Sequence, residues 1–245
     1  MTPQLVNRLW KKRRAAEAKL LFRRRPGIER VIDSVREEGL SYLDKAALID
    51  LALVADRNER RGVDGTVIEC GCALGGSAIV LATAKAATRP LFVYDVFGMI
   101  PPPSDRDGAD VHERYETIVS GQSVGIGENP YYGYEENLRG QVEASFERHG
   151  RAVADHAVRL VEGLYEDTLH VDGPVSLAHL DCDWYDSVMV CLERIVPHLA
   201  RRGTLVVDDY HSWSGSRRAV DDFFAYQPAG AFEFVERSRL HIVRR

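Results

Sequence analysis

The stretch from Thr66 to Ser77, TVIECGCALGGS, constrains the fold of this 245-residue chain more than any other part. Val67 and Ile68 are β-branched and apolar, which is typical of a strand buried on both faces. Glycines then interrupt the pattern, and apolar residues resume at helical spacing. The order of strand, glycine-rich turn and helix indicates an α/β protein.

The same turn predicts a cofactor site. Glycines such as Gly71 let a ligand approach the backbone closely, and the helix that starts near Ser77 offers N–H groups at its positive end. Glu69 ends the strand, where a carboxylate would repel the pyrophosphate of a dinucleotide but attract the amine and sulfonium of S-adenosylmethionine. The pattern therefore favours S-adenosylmethionine, and tight packing of the turn without a ligand is the alternative.

Composition sets the broad class. With 45% hydrophobic and 28% charged residues, the chain fits one α/β domain with an N-terminal extension. We place the boundary between residues 1–63, a basic arm with helices, and residues 64–245, the cofactor-binding domain. No apolar run approaches the ~20 residues of a spanning helix, and no cleavable leader is visible, which predicts a cytoplasmic protein without membrane contact. The four cysteines form no C-x-x-C pair, and we interpret them as small buried side chains.

The N-terminal arm is strongly basic. Residues Arg8 to Arg25 hold nine Lys or Arg and one acid, whereas the remainder holds 23 basic and 36 acidic residues, a balance of −13. Such an arm could bind nucleic acid through phosphates, or pack as a helix on the acidic body of its own or a neighbouring subunit. The second interpretation is favoured, because Trp10 and Phe22 are its two aromatic residues and no stacking residues are interleaved. Two further helices are predicted over Ile28–Gly39 and Asp44–Arg61.

Two more turns contribute to the predicted cofactor edge. The strand Leu91–Val96 carries Asp95, about twenty residues beyond the glycines, where an acid holds the ribose hydroxyls of an adenosine. The strand Ala157–Val161 leads to Gly163, where an adenine would fit. A plain surface role for Asp95 is the alternative.

Residues 101–140 differ from the rest of the chain in being rich in Pro, Gly and Tyr. A loop this long inside a compact domain is typical either of a lid or of disorder. The tyrosines at 131, 132 and 134 favour a lid that lines an acceptor pocket and closes when ligands bind.

Acidic residues follow two further predicted strands. Val175–Leu180 ends in Asp181-Cys182-Asp183, and Thr204–Val207 ends in Asp208-Asp209. The carboxyl ends of parallel strands open on one edge of a sheet, so these acids should converge and require neutralisation. An all-oxygen set of Asp181, Asp208 and Asp209 favours Mg²⁺ over a thiol-seeking ion. Helix capping or exposure to water is the alternative for these acids.

The last predicted elements complete the sheet. Residues 232–236 and 240–244 indicate an antiparallel hairpin, which gives a mostly parallel seven-stranded sheet with helices on both faces.

His211 follows the acidic pair Asp208-Asp209, where a histidine serves either as an acid–base group or as a hydrogen-bonding residue.

Four motifs carry a resemblance to a known family. VIECGCALGGS, YDVF, HLDCDWYDS and LVVDDYHSWSGSRRAVDDFF resemble the macrocin O-methyltransferases, which are metal-dependent sugar O-methyltransferases of antibiotic biosynthesis. The likeness covers about Ile28 to Tyr226, with a more distant similarity to catechol O-methyltransferases. It implies a Rossmann-like class I methyltransferase fold and homo-oligomers with N-terminal segments packed across subunits. It also implies metal binding by Asp181, Asp208 and Asp209, general base catalysis by Asp183, and cofactor binding by Glu69, Gly71 and Asp95.

The resemblance implies a function as well. We expect S-adenosylmethionine- and Mg²⁺-dependent methylation of a sugar hydroxyl of a glycosylated natural product. The insertion at 101–140 and the basic arm lie outside the matching motifs, so the identity of the acceptor is not implied. Methylation of a small phenol or catechol is the first alternative, and nucleic-acid binding through the arm is the second.

Overall fold

The computed structural model describes residues 3–127 and 129–245, with side chains described from residue 13 onward. From residue 66 to residue 224 strands and α-helices alternate along the chain, apart from two successive helices between residues 109 and 148, as is typical of an α/β protein. The helices are α1 Pro3–Arg24, α2 Ile28–Glu37, α3 Lys45–Arg60, α4 Gly76–Ala84, α5 Ala109–Val119, α6 Leu138–Arg148, α7 Tyr165–Thr168, α8 Tyr185–Ile195 and α9 Ser214–Phe224. The strands are β1 Thr66–Cys70, β2 Leu91–Asp95, β3 Val158–Glu162, β4 Val175–Leu180, β5 Leu199–Val207, β6 Phe232–Glu236 and β7 Leu240–Arg244.

The strands form one seven-stranded sheet in the order β3-β2-β1-β4-β5-β7-β6. The first five strands in sequence are parallel, and β7 runs antiparallel between β5 and β6. Cys70 pairs with Leu180, and Leu180 pairs with Val207, so the carboxyl ends of β1, β4 and β5 are level. The predicted mostly parallel sheet with a closing antiparallel hairpin is confirmed.

Helices cover both faces of this sheet. Val67 packs into a core with residues of α2, α3 and α4, whereas Ile68 packs into a second core with residues of α8 and α9. Successive side chains of a strand point to opposite faces, so the apolar pair in β1 requires a cover on each side. The prediction of helices on both faces is also confirmed.

The insertion contains a helix that the sequence analysis did not predict. Helix α5 buries Val111 and Ile118, which leaves too few apolar positions for a clear helical period. A short 3₁₀-helix follows at Tyr132–Tyr134, while Glu128 lies outside the described residues. Helix α8 was also missed, although Val188, Leu192 and Ile195 have helical spacing.

The N-terminal arm is a helix that lies on α3 of its own chain. Arg14 contacts Asp50 at 2.5 Å, and Arg24 contacts Asp56 at 2.7 Å. Arg25 also reaches Asp56, at 3.3 Å. The basic charge of the arm is thus partly neutralised within the chain. The side chain of Trp10 lies outside the described residues, and the domain boundary at 63–64 stays a prediction.

None of the described helices has the length and apolar character needed to cross a membrane.

Candidate active site

The glycine-rich turn after β1 is shaped by close backbone packing. Gly71 has φ +83°, and a Cβ there would lie 1.9 Å from the carbonyl oxygen of Asp181. Gly76 donates its N–H to the carbonyl of Leu40 at 2.9 Å, so this donor at the start of α4 is occupied. A Cβ on Gly76 would also meet that carbonyl, at 2.6 Å. Packing therefore explains Gly76, while Gly71 lines both clefts described below.

Asp95 fixes the turn to the end of β2. Its two carboxylate oxygens accept hydrogen bonds from the backbone N–H of Cys72 at 2.7 Å and of Phe97 at 2.8 Å. Burial raises the pKa of Asp95, against the lowering effect of these donors. The carboxylate still lines the first cleft.

Three predicted cofactor residues lie outside the described lining of both clefts. The carboxylate of Glu69 is fully buried and accepts a hydrogen bond from the hydroxyl of Ser77. The N–H of Gly163 donates to the backbone carbonyl of Asp95 at 3.0 Å. As far as the described residues define the two clefts, none of these three residues lines either one. Their geometry supports the cleft walls, and direct cofactor contact by them stays a prediction.

His179 links two acids in the interior, and the sequence did not single it out as a site residue. Its Nδ1 lies 3.2 Å from Glu69 Oε2, and its Nε2 lies 3.7 Å from Asp208 Oδ1. Burial disfavours the charged imidazole, but the carboxylates of Glu69 and Asp208 outweigh it and hold the pKa of His179 well above its usual value. A histidine among the apolar residues Leu177, Ala178 and Leu180 was the available sequence signal, whereas its register with Glu69 is known only from the structure.

Two clefts open at the carboxyl edge of the sheet. The first is lined by Asp95, by the neighbouring loop 98–101, and by Leu164 and Tyr165. The second, a cavity of about 320 Å³, is lined by aromatic residues such as Tyr42 and Trp213 and by four aspartates. The clefts share Gly71, Tyr132, Asp181 and Asp183. A ligand in one cleft would therefore face a ligand in the other.

Three carboxylates converge as the sequence predicted. Asp181, Asp208 and Asp209 each offer an oxygen, and these oxygens lie within 4.8 Å of one another. Burial and the nearby carboxylate of Asp208 raise the pKa of Asp181 well above its usual value. Burial and the carboxylates of Asp183 and Asp181 likewise raise the pKa of Asp209. Asp209 Oδ2 is buried with no hydrogen-bond partner among the described residues. An all-oxygen set with an unpaired acceptor fits a hard divalent cation such as Mg²⁺.

Asp183 lies where the clefts meet. Its φ is +56°, a left-handed conformation that Asp tolerates better than most residues and that is common at functional sites. Burial raises the pKa of Asp183, while the guanidinium of Arg114 acts in the opposite direction. A carboxylate at this point can accept a proton from a group in the second cleft.

Two arginines complete the second cleft. Arg239, in the turn between β6 and β7, donates from Nε to Asp208 Oδ1 at 2.7 Å. Arg114, on α5, has its guanidinium 5.7 Å from the centre of the Tyr131 ring. Both come from segments distant in sequence from the strand ends, so no local signal indicated them. His211 is exposed, contacts Glu236 at 3.0 Å, and is absent from the described lining of either cleft.

The parallel sheet with its antiparallel hairpin and edge clefts is the class I O-methyltransferase architecture. The family model of macrocin-O-methyltransferase (TylF) matches residues 36–229, and the chain belongs to this family.

Relatives and solved structures agree with this assignment. The chain is 31% identical over 191 residues to the 8-demethyl-8-(2,3-dimethoxy-alpha-L-rhamnosyl)-tetracenomycin-C 4'-O-methyltransferase of Streptomyces olivaceus, covering 76% of this chain and 66% of that protein. The O-methyltransferase NovP matches with a TM-score of 0.69 and 21% identity, covering 86% of this chain and 87% of NovP. CalS11, a TDP-rhamnose 3'-O-methyltransferase of calicheamicin biosynthesis, matches with a TM-score of 0.54 and 16% identity, covering 100% and 95%. Because NovP and CalS11 are only 21% and 16% identical to this chain, their likeness shows that the fold is shared.

Proposed function

We propose that the protein is an S-adenosylmethionine- and Mg²⁺-dependent O-methyltransferase that methylates a sugar hydroxyl of a glycosylated natural product. The observation that carries this proposal is the meeting of two clefts at Asp181 and Asp183, beside a carboxylate cluster with an unpaired oxygen. Family membership supports it, as does the name of the Streptomyces olivaceus relative, which describes methylation of a rhamnosyl group on a tetracenomycin.

In this proposal the first cleft holds the cofactor. Gly71 leaves room for it, and Asp95 accepts hydrogen bonds from the ribose with the lone pairs that Cys72 and Phe97 leave free. Glu69, Ser77 and Gly163 contribute by holding the turn in shape. Such fixed walls matter, because methyl transfer needs the acceptor oxygen and the sulfonium methyl in line.

The second cleft holds the acceptor. Asp181, Asp208 and Asp209 would bind a divalent cation, which makes a nearby hydroxyl more acidic. Asp183 accepts the proton of that hydroxyl as general base. Tyr132, which lines both clefts, helps to exclude water from the reacting groups.

Charge in the second cleft favours a neutral acceptor. Its described lining holds four aspartates and two arginines, Arg114 and Arg239. A divalent cation brings this set to neutrality, so these residues provide no spare positive charge for a diphosphate. A neutral glycoside therefore fits better than a nucleotide-activated sugar.

Arg114 is the group we assign to acceptor binding. Among the described residues it has no hydrogen bond and no ion pair, although it lines the cleft. Its five N–H donors are available for sugar oxygens. The nucleic-acid alternative loses support, because Arg14, Arg24 and Arg25 of the arm contact aspartates of α3.

Calorimetry and a methylation assay test the proposal together. We expect S-adenosylmethionine to bind the wild type, and Asp208→Ala to keep this binding while losing Mg²⁺ binding. In the assay, we expect methylation of a rhamnosylated aromatic polyketide with a free sugar hydroxyl, dependent on Mg²⁺, and no methylation of a simple catechol. Absence of cofactor binding under all conditions would refute the methyltransferase proposal. Methylation of catechol alone would refute the sugar acceptor.

A further inference from the structure

A second group of basic residues surrounds a cavity of about 240 Å³ between α1, α3 and the turn that joins β6 to β7. This cavity shares no described lining residue with the two clefts of the active site. Its lining combines apolar and charged side chains: Leu20, Leu53 and Val54; Glu17 and Asp50; and Arg24, Arg57, Arg60 and Arg237.

Three of the four arginines have carboxylate partners. Arg24 and Arg60 contact Asp56 at 2.7 and 3.1 Å. Arg237 contacts Glu17 at 2.7 Å and Asp50 at 3.0 Å. Asp50, whose exposed fraction is 1%, also accepts hydrogen bonds from Ser238. The acids at the cavity are therefore already occupied.

Arg57 is the exception. Among the described residues it makes one hydrogen bond, from Nη2 to Thr204 Oγ1 at 3.0 Å, and no ion pair. Burial lowers the pKa of Arg57, as do the like charges of Arg61 and Arg237, while the carboxylate of Glu17 acts in the opposite direction. Residues 1–12 contain no Asp or Glu, so the part of the arm without described side chains adds no carboxylate. A half-buried guanidinium with unused donors thus opens on a cavity with an apolar wall.

We propose that this cavity binds a small organic oxyanion, a carboxylate or a phosphate monoester. The oxygens would accept a forked pair of hydrogen bonds from Arg57, which matches the planar geometry of such groups. The apolar part of the ligand would lie on Leu20, Leu53 and Val54. The volume is below the ~300–1,000 Å³ of drug-sized ligand sites, which selects a small ligand.

Calorimetric titration of the full-length protein at low ionic strength tests this site, with hexanoate as the organic probe and inorganic phosphate as competitor. We expect hexanoate to bind and phosphate to displace it. Arg57→Gln should weaken binding by about tenfold or more, because a charge-assisted pair is lost. The matched control is Arg61→Gln, an exposed arginine at the end of the same helix, and it should bind within about twofold of wild type.

A second variant protects the test against misfolding of Arg57→Gln. Leu20 is half exposed, so Leu20→Asp should fold normally while placing a repelling charge at the cavity. We expect it to abolish hexanoate binding. The proposal is overturned if wild type binds neither probe at millimolar concentration, if Arg57→Gln binds as tightly as wild type, or if Leu20→Asp binds as wild type does. Titration of the same samples with S-adenosylmethionine separates these outcomes from a failure of the proposed enzymatic function.

Discussion

Asp183 combines a left-handed backbone with a carboxylate at the junction of the two clefts. Because this conformation carries a cost, its presence beside Asp181 and Asp209 agrees with a functional role. The resemblance to the macrocin O-methyltransferases implied that Asp183 is a base, but its backbone geometry is known only from the structure.

Asp183→Asn should keep the shape of the junction and remove the proton acceptor. We expect turnover to fall by about 10²–10⁴-fold, while the affinity for S-adenosylmethionine stays near the wild-type value. Single-turnover kinetics and calorimetry measure the two quantities. A fall in cofactor affinity equal to the fall in rate would contradict the assignment of Asp183 as a base.

His241 supplies a prediction about pH. It is buried in β7, where burial lowers its pKa to about 3 against the opposing effect of Asp50, while Arg237, Arg57 and His179 lower it further. The unfolded chain binds this proton below a pH of about 6.5, so the folded state loses stability as the pH falls from there towards 3. We expect His241→Leu to lack this loss.

The difference should appear in denaturant unfolding at pH 7, 6 and 5. Relative to His241→Leu, the free energy of unfolding of the wild type should fall by about 1.4 kcal/mol for each pH unit below 6. Parallel pH dependences of the two proteins would show that His241 is not buried in its neutral form.

At the scale of elements, buried acids of α3 bind the basic residues of α1, next to the buried Leu21. Asp56 has an exposed fraction of 1% and contacts three arginines, Arg24, Arg25 and Arg60. The sequence predicted a basic helix that packs on an acidic surface, but the general count of charges did not reveal which acids are involved.

Asp56→Asn should loosen α1, because it leaves the three guanidinium groups without their anion. We expect a loss of about 1–3 kcal/mol in the free energy of unfolding and faster proteolysis within residues 13–25. The control is Asp33→Asn, whose carboxylate is 40% exposed and contacts Lys45. Equal protection of both variants against protease would contradict the proposed role of Asp56.

The insertion brings α5 and its Arg114 over the second cleft. We expect Arg114→Gln to raise the KM for the sugar acceptor about tenfold or more, with little change in cofactor or metal affinity, since a charged donor to the acceptor is lost. Arg139→Gln, an exposed change on α6, is the control. An unchanged acceptor KM in Arg114→Gln would remove this residue from the acceptor site.

At the scale of the whole molecule, the acidic edge of the sheet opposes folding unless its charge is compensated. Asp181, Asp208 and Asp209 each offer a carboxylate oxygen, and these oxygens lie within 4.8 Å of one another. Burial and the neighbouring carboxylates raise the pKa values of Asp181 and Asp209. A cation that binds only the folded protein therefore stabilises it.

We expect Mg²⁺ to raise the melting temperature of the wild type. Asp209→Asn should raise the melting temperature of the metal-free protein, which corresponds to a gain of about 1–2 kcal/mol in the free energy of unfolding. The same change should remove the effect of Mg²⁺. Differential scanning calorimetry with and without Mg²⁺ measures both. If Asp209→Asn still responds to Mg²⁺ as wild type does, the cation binds elsewhere.

Much of this molecule is determined by local sequence. Short runs that are mostly apolar define the central parallel strands, and the acids that follow β4 and β5 meet because parallel strands end at the same edge. Periodicity and strand-end position are local properties, so Asp181, Asp183, Asp208 and Asp209 were identifiable before the structure. Helix α5 was not, since its two buried residues give no clear period.

Tertiary structure alone decided which side chains surround these acids. His179 joins Glu69 to Asp208 through the register of β1 and β4, and Arg239 reaches Asp208 from the hairpin turn. At a separate cavity, Arg57 makes no ion pair with any of the described residues. The same register and packing buries the carboxylate of Glu69, which accepts a hydrogen bond from the hydroxyl of Ser77. Such contacts join residues that are far apart in the chain, and no local pattern in an amino-acid sequence encodes their distances.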